Sequence, residues 1–324
     1  MIRSNFSKAL VFLFAGVVLA LSGSRPPWAA DKLRFAISVK FNPSYSLPFF
    51  AAEEKGFWKQ NEIDARLIFF DSSFAMFRGV AAQAVDMGLG GGLADLQAMA
   101  RGVPVIIVAD PKSLQEFSVW VRADSPIKGP RDLKGAKIGI SSFGGLAHAY
   151  GRALAKALGM EKEIRFLASG GSTQEIAALR AGVTDGTIFS FFGMAALKFK
   201  GEVREAVIIT EYLPREWIDV TISARRDFRD KSPGAIRRGL KAVFQGADFV
   251  LKNPEWTVAK LKAEYGYEEK DARAVHRDVL RYGKDGVINP RALENMMNFL
   301  VEYGIVPREK APPVKELYTD EFNN

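Results

Sequence analysis

The sequence predicts an α/β protein of two lobes, each built on its own sheet, joined by two crossing strands. Short β-branched runs alternate with helical stretches, which is typical of parallel sheets. A turn-rich linker at residues 124–130 divides this alternation into two halves. The halves also echo each other: a short strand, a loop of small or aromatic residues, a brief helix and a β-branched strand occur at residues 86–109 and again at 185–210.

The first half contains four predicted strands and three predicted helices. The strands are residues 33–38, 65–70, 87–90 and 103–109, and the helices are residues 48–60, 74–83 and 93–100. Pro48 marks the predicted start of the first helix, and Gly56 inside it indicates a close backbone approach or an early end. The second half repeats the alternation with strands at residues 137–140, 165–167, 187–190 and 207–210.

The crossing strands and the C-terminal helices complete the predicted architecture. Residues 117–122 and 217–224 are the predicted crossings, and they form the hinge. Three of the helices that follow are predicted to start with an N-cap residue and a proline at the first helical position. The predicted N-cap residues are Ser232, Asn253 and Asn289. This helical block most economically packs back onto the first unit. We therefore predict a discontinuous first lobe, residues 31–120 and 215–324, and an inserted second lobe, residues 121–214.

Residues 1–30 have the arrangement of a secretory signal peptide. A short basic stretch precedes an uncharged apolar run, residues 9–21, which is too short to span a bilayer comfortably. Cleavage is predicted after Ala30, with cleavage after Ser24 as the alternative and an uncleaved membrane anchor as the competing interpretation. Because no later stretch is apolar enough for a membrane helix, we expect an exported, periplasmic protein without a lipid anchor.

The composition excludes several classes of protein. The chain has no cysteine, which excludes disulfides, thiolate metal sites, cysteine nucleophiles and a lipid-modified N-terminal cysteine. The net charge is +8, but the basic residues are scattered without a run of five or six, so no nucleic-acid partner is expected. With 48% hydrophobic and 25% charged residues, the composition is that of a folded, globular chain.

The strongest candidate site is a strand, a Ser/Gly turn and a helix N-terminus within residues 137–154. Ligands of open parallel sheets bind beyond the carboxyl ends of the strands. Four such ends, two from each predicted lobe, are expected to face one cleft. Their hydroxyl and backbone N–H groups suit a polar head, and their phenylalanines suit an apolar body. The candidate ligand-binding residues there are Phe41, Asn42, Gly90, Gly91, Gly92, Ser141, Ser142, Phe143, Gly144, Gly145, Ser190, Phe191 and Phe192.

Two further candidates lie beside the predicted cleft. His148 is in the first turn of the helix after Gly145, where it would contact ligand or act as a pH-sensitive group. Trp217 lies near the second crossing together with Asp219. The competing interpretations are a helix-face histidine and burial of Trp217 and Asp219 against the hinge.

Four segments in order along the mature chain carry a family resemblance: PFFAAEEKGFWKQNEIDARL, AAQAVDMGLGGGLADLQAMARGVPV, RDLKGAKIGISSFGG and EIAALRAGVTDGTIFS. On these segments the chain resembles the nitrate/sulfonate/taurine-type substrate-binding proteins of ABC importers, which are related to the thiamine-pyrimidine (NMT1/THI5-like) proteins. The resemblance implies a type II periplasmic-binding-protein fold with a two-strand hinge. It also implies that a monomer captures a small solute and delivers it to an inner-membrane permease. By position, residues 141–145 and 190–192 match the family's ligand loops of the inserted lobe, and Phe41, Asn42 and residues 90–92 match those of the other lobe.

The sequence favours a binding protein over an enzyme. It contains two histidines and no GxSxG, Walker or GxGxxG motif in context, so we expect neither a catalytic centre, a metal nor a cofactor. The preferred ligand is an organic anion with an apolar or aromatic part, such as a sulfonate or aromatic carboxylate. Two alternatives stay open: a pyrimidine-precursor binding protein or synthase of thiamine biosynthesis, and a ligand-sensing subunit of a membrane receptor. Fungal synthases of the superfamily carry a cysteine-rich iron motif, which this chain lacks.

Overall fold

The structure is a computed structural model that describes residues 30–38, 42–113, 117–170 and 172–323. Except for Ala30, the predicted signal peptide lies outside these residues, as does Phe41. The strands form two five-stranded sheets, as an α/β protein of two lobes requires. The first sheet contains β1 (Asp31–Ile37), β2 (Ile63–Phe69), β3 (Met87–Gly91), β4 (Val105–Ala109) and β10 (Val220–Arg225). The second contains β5 (Phe117–Arg122), β6 (Lys137–Ile140), β7 (Arg165–Ala168), β8 (Gly186–Ser190) and β9 (Val203–Ile208).

The two sheets have the same strand order, which explains the echo between the halves of the sequence. The first sheet is ordered β2-β1-β3-β10-β4 and the second β7-β6-β8-β5-β9. In each sheet three neighbouring strands run parallel, and one strand runs antiparallel to the neighbours on both its sides. This arrangement directs the carboxyl ends of β1, β3, β6 and β8 to the ligand-binding edges of their sheets. We call each sheet with its helices a lobe.

The antiparallel strands β5 and β10 are the segments that the sequence predicted to cross between the lobes. Each pairs within a single sheet, β5 with β8 and β9 and β10 with β3 and β4. The chain passes from one sheet to the other in the residues before each strand, between β4 and β5 and between β9 and β10. The two strands therefore follow the two passages directly, and Trp217 lies in the second passage. The lobe boundaries within these passages stay a prediction.

The helices cover both sheets. In the first lobe they are α1 (Pro43–Glu54), α2 (Phe57–Gln60), α3 (Ser73–Ala81), α4 (Gly92–Ala100) and the C-terminal α8 (Arg226–Lys231), α9 (Pro233–Lys252), α10 (Pro254–Tyr265), α11 (Glu269–Ala274) and α12 (Pro290–Glu302). In the second lobe they are α5 (Leu146–Ala157), α6 (Ser172–Arg180) and α7 (Phe191–Phe199). Helix α9 packs against α1 and β1, so the C-terminal helices do return to the first sheet. Among the described residues, no helix is both long and apolar enough to cross a membrane.

The first helix starts five residues earlier than predicted. Asn42 caps it by accepting a hydrogen bond from the Ser44 backbone N–H at 3.0 Å, and Pro43 occupies the first turn. Pro48 is therefore inside the helix instead of at its start. The early end predicted at Gly56 is confirmed, since Gly56 adopts φ +72°, a left-handed conformation that favours glycine.

One of the three predicted asparagine and serine caps forms as expected. The Asn289 side chain accepts from the Arg291 backbone N–H at 3.0 Å, which caps α12. At α9 and α10 the prolines do lie in the first turn, but neither Ser232 nor Asn253 caps through its side chain. The Asn253 side chain instead donates to the Phe249 carbonyl at 2.8 Å and so caps the C-terminal end of the preceding helix, α9.

The buried core continues from one lobe into the other. Trp120 and Phe191 of the second lobe belong to the same apolar cluster as Leu47 of α1. A second shared cluster joins Tyr150 of α5 to Leu293 of α12. The lobes are therefore in contact on more than one side of the space between them.

Candidate solute-binding site

A small cavity lies between the two lobes, at the carboxyl ends of their strands. Its volume is about 90 Å³. The first lobe contributes the start of α1, the start of α3 and the β3–α4 junction, and the second contributes the starts of β5 and α5. The passage before β10 closes it. The lining residues are Tyr45, Ser73, Gly91, Gly92, Leu93, Ala94, Phe117, Leu146, Tyr150, Trp217, Ile218 and Asp219.

Helix starts position the two tyrosines of the cavity. Tyr45 follows the Asn42 cap in the first turn of α1 and is completely buried. Tyr150 is four residues after Leu146 on α5, so both project from one face of that helix. Tyr150 is only 3% exposed although it lies at the boundary between the lobes. The cleft is therefore lined from both sides by aromatic rings.

Aromatic contacts hold the second-lobe side of the cavity together. Phe117 stacks on Tyr150 with 4.6 Å between ring centroids and an interplanar angle of 22°. Tyr150 is 6.5 Å from Trp217, and both pack near Phe299 of α12, at 5.6 and 5.3 Å. The indole N–H of Trp217 lies beside the Tyr150 hydroxyl and is buried without a hydrogen bond of normal geometry. Stacked rings with a buried N–H donor suit a flat solute that offers a hydrogen-bond acceptor.

The glycines of the β3–α4 junction allow the passage before β10 to approach closely. The Gly92 backbone N–H donates to the Asp219 carbonyl at 2.9 Å, which extends the β3–β10 pairing. A Cβ atom on Gly92 would lie 2.4 Å from the Ile218 carbonyl oxygen, closer than any real contact. Glycine at this position therefore places Trp217 and Asp219 at the edge of the cleft.

Asp219 places a carboxylate at the edge of the cleft. Its carboxylate lies near both tyrosines: burial raises the pKa of Tyr45 and of Tyr150, and the charge of Asp219 raises both pKa values further. Among the lining residues that the structure describes there is no lysine or arginine. The described lining therefore offers a solute an acidic group, two tyrosines and an indole N–H.

A second carboxyl group lies beneath this surface. Asp95, in the first turn of α4, is completely buried and accepts a hydrogen bond from the Thr221 hydroxyl at 2.9 Å. Its other carboxyl oxygen has no hydrogen-bond partner. Burial raises the pKa of Asp95 to about 7, and hydrogen bonds from Thr221 and Ser223 oppose that rise.

Three of the residues predicted from sequence line this cavity: Gly91, Gly92 and Trp217. Gly90 is buried within β3, where a Cβ atom would meet Met76. Asn42 is 3% exposed and uses its side chain to cap α1. Neither residue lines the cavity, but each is next to an element that does: Gly90 precedes Gly91 in β3, and Asn42 caps the helix that carries Tyr45.

The predicted Ser/Gly turn of the second lobe lies beside the cavity and does not line it. These residues are Ser141, Ser142, Phe143, Gly144 and Gly145. Phe143 is 63% exposed, with its ring 5.2 Å from the ring of His148. His148 accepts from the Gly144 backbone N–H through Nδ1 at 3.0 Å. Burial, and then the nearby Arg152 charge, lower the pKa of His148, which favours its neutral form.

The other predicted second-lobe loop joins the apolar core. Ser190 ends β8, and Phe191 is 8% exposed against Phe192, with ring centroids 5.3 Å apart. The Lys198 ammonium lies 4.7 Å from the Phe191 ring centroid. In this arrangement of the lobes these three residues do not line the cavity.

Sequence reasoning missed the tyrosines and weighed Asp219 without selecting it. Tyr45 is three residues after the Asn42 cap. A prediction that started α1 at Pro43 would have placed Tyr45 in the first helical turn, at the carboxyl end of β1. Tyr150 lies on the apolar stripe of α5, where a tyrosine looks like core in the sequence. Only the packing of two lobes against each other shows that this stripe ends at a cleft.

Comparison with known proteins agrees with this geometry. A 4-amino-5-hydroxymethyl-2-methylpyrimidine phosphate synthase of Saccharomyces cerevisiae is 23% identical over 338 residues, covering 89% of this chain and 92% of the relative. The periplasmic aliphatic sulphonate-binding protein SsuA of Escherichia coli has a similar structure, with a TM-score of 0.74 at 18% identity over 89% of this chain and 92% of that one. The periplasmic nitrate-binding protein NrtA of Synechocystis PCC 6803 has a TM-score of 0.66 at 14% identity, covering 90% and 86%.

These likenesses confirm the predicted periplasmic-binding-protein fold, with its two α/β lobes and the passages of chain between them. Residues 43–257 match the protein family described as NMT1/THI5 like. The matched segment includes the starts of α1, α4 and α5 and the passage before β10, hence every residue that lines the cavity. The chain belongs to the NMT1/THI5-like family.

Proposed function

We propose that this protein captures a small solute between its lobes in the periplasm and delivers it to an ABC permease for import. The observation that carries the proposal is a cavity whose lining comes from both lobes at the carboxyl ends of their strands. The periplasmic sulphonate- and nitrate-binding proteins of the same fold support it. A solute that contacts both lobes favours the closed form, because only that form offers both sets of contacts. The permease would then recognise the closed lobes.

Two ligand classes follow from the sequence analysis, and the residues that line the cleft bear on both. An organic anion gains from the aromatic lining and from the buried Trp217 N–H. An aminopyrimidine is flat enough to lie among Tyr45, Tyr150 and Trp217, and it presents amino N–H donors to Asp219 and a ring nitrogen to the Trp217 N–H. The yeast relative is named for a pyrimidine product. We therefore propose an aminopyrimidine as the ligand and an organic anion as the competing candidate.

Isothermal titration calorimetry of the purified protein tests both candidates. The probes are 4-amino-5-hydroxymethyl-2-methylpyrimidine, an alkanesulfonate, benzoate and nitrate. We expect the pyrimidine to bind and Asp219→Asn to weaken its binding by roughly tenfold or more, because a charge-assisted hydrogen bond is lost. Glu309→Gln, which changes an exposed carboxylate far along the chain, is the matched control and should leave the affinity unchanged.

The possible outcomes distinguish an error in the ligand class from an error in the proposed solute capture. Tight binding of an anion that Asp219→Asn strengthens would overturn the aminopyrimidine and keep solute capture. Binding of no probe by a folded protein, in this panel and in a wider library of small solutes, would contradict solute capture itself.

A further inference from the structure

Helix α5 of the second lobe contacts helix α12 of the first lobe through charged side chains. The Lys156 ammonium lies 2.6 Å from Oε1 of Glu302. Arg152, one turn earlier, donates to the Tyr303 carbonyl oxygen at 3.3 Å and places its guanidinium 5.1 Å from the centroid of the Tyr303 ring. Among ion pairs between described residues, Lys156–Glu302 alone joins the two lobes.

The same helix lines the cavity. Tyr150 of α5 faces the cleft and also packs 5.6 Å from Phe299 of α12. Lys156 lies six residues further along, which is about 9 Å along the helix axis. A rigid α5 therefore connects the cleft to the charged contact, and any rotation of the second lobe that moves Tyr150 also moves Lys156.

The energetics suit control of a conformational equilibrium more than support of the fold. Lys156 and Glu302 are 61% and 50% exposed, and exposed ion pairs contribute little to folding. Two arrangements of a two-lobed protein, however, differ by only a few kcal/mol. A contact too weak to matter for folding is large enough to change the populations of such states several-fold.

We propose that Lys156, Arg152, Glu302 and Tyr303 form a latch that holds the lobes together in the absence of solute. The latch sets the fraction of molecules in the closed arrangement before any solute arrives. Because the apparent affinity of a solute scales with that fraction, these residues adjust affinity from outside the cleft. The latch is a contact between the two lobes only, so its effect does not depend on which solute binds.

The absence of cysteine makes the test direct, since spin labels attach only where cysteine is introduced. Asp71→Cys and Ala168→Cys place exposed labels after β2 and at the end of β7, one on each lobe. Double electron–electron resonance then gives the distribution of distances between the lobes in protein without solute. We expect Glu302→Lys to shift this distribution towards longer distances, with the closed population falling roughly two- to fivefold relative to the open one.

The exchanged pair Lys156→Glu with Glu302→Lys should restore the original distribution. Glu161 lies near Lys156 and also near Tyr303 across the contact, and it is unchanged in every variant that is compared. The matched control is Lys262→Glu, which breaks an ion pair of similar exposure between α10 and α11 within the first lobe. It should leave the distribution unchanged, and 1 M salt should reduce the effect of Glu302→Lys.

Two results would overturn the latch. One is an unchanged distribution in Glu302→Lys, with the milder Glu302→Gln also unchanged and both variants folded by circular dichroism. The other is a shift in Glu302→Lys that the exchanged pair fails to restore, which would assign the effect to altered packing. Since no solute enters the experiment, neither result bears on solute capture.

Discussion

Gly246→Ala is expected to destabilise the protein by roughly 3 kcal/mol, because a methyl group has no space between helices α9 and α1. A Cβ atom on Gly246 would lie 2.0 Å from the Pro48 carbonyl oxygen and 3.2 Å from the Ala52 nitrogen. Both are backbone atoms, so no side chain can rotate away and the helices must separate. Separation would expose the buried stripe of α9 that includes Val243 and Val250.

Gly234→Ala on the same helix is the matched control. A Cβ atom there would contact only the end of the Arg238 side chain, at 3.4 Å. Alanine also favours the helix, so we expect a change between zero and about 1 kcal/mol of stabilisation. Urea unfolding of both variants measures the difference. Equal changes in the two variants would show that helix propensity, and not the contact with α1, determines the result.

The same displacement should affect the cleft. Helix α1 carries Tyr45 in its first turn, so moving α1 away from α9 moves one wall of the cavity. We expect Gly246→Ala to weaken solute binding even where the protein stays folded. Gly234→Ala should bind as the unaltered protein does.

Asp95→Asn is expected to stabilise the protein at neutral pH by roughly 2 to 4 kcal/mol and to flatten its pH dependence. Burial raises the pKa of Asp95 to about 7, whereas an unfolded aspartate titrates near 4. Between these two values the folded state binds a proton that the unfolded state has lost. Stability from this group is therefore complete below about pH 4, falls as the pH rises towards 7, and is constant above that.

Thermal unfolding between pH 4 and 8 measures this effect as the difference between the protein and its Asp95→Asn variant. Glu175→Gln should give a difference of the same sign, since burial raises the pKa of Glu175 to about 7 although Thr187 donates to it. Glu255→Gln is the control of opposite sign, because its ion pair with Arg273 lowers the pKa of Glu255. A stability difference for Asp95→Asn that does not change with pH would contradict the assignment.

The fold can be predicted from the sequence because its local signals agree with the tertiary structure. Alternating strands and helices, the linker and the echo between halves all correspond to two sheets with one strand order. The largest local error was the start of α1. Pro48 has the character of an N-terminal signal, whereas the Asn42 cap and Pro43 supply that signal five residues earlier.

The lining of the cavity follows less directly from local sequence than the fold does. Strand ends and glycine loops mark where a ligand binds in one lobe, and Gly91 and Gly92 were found in this way. The loop at Ser141–Gly145 has the same local character, yet α5 turns Leu146 and Tyr150 to the cavity and leaves Phe143 exposed. No local pattern encodes that choice, because it depends on how one lobe rests on the other.

Residues close together in the chain are enough to predict the α/β class, the repeated halves, the family resemblance and the glycines of the first-lobe loop. The shared cavity of Tyr45, Tyr150, Trp217 and Asp219 and the contact between Lys156 and Glu302 become visible only in the folded protein. These groups are separated by up to 174 residues in the case of Tyr45 and Asp219. Contacts between such distant segments form only when two complete lobes pack together.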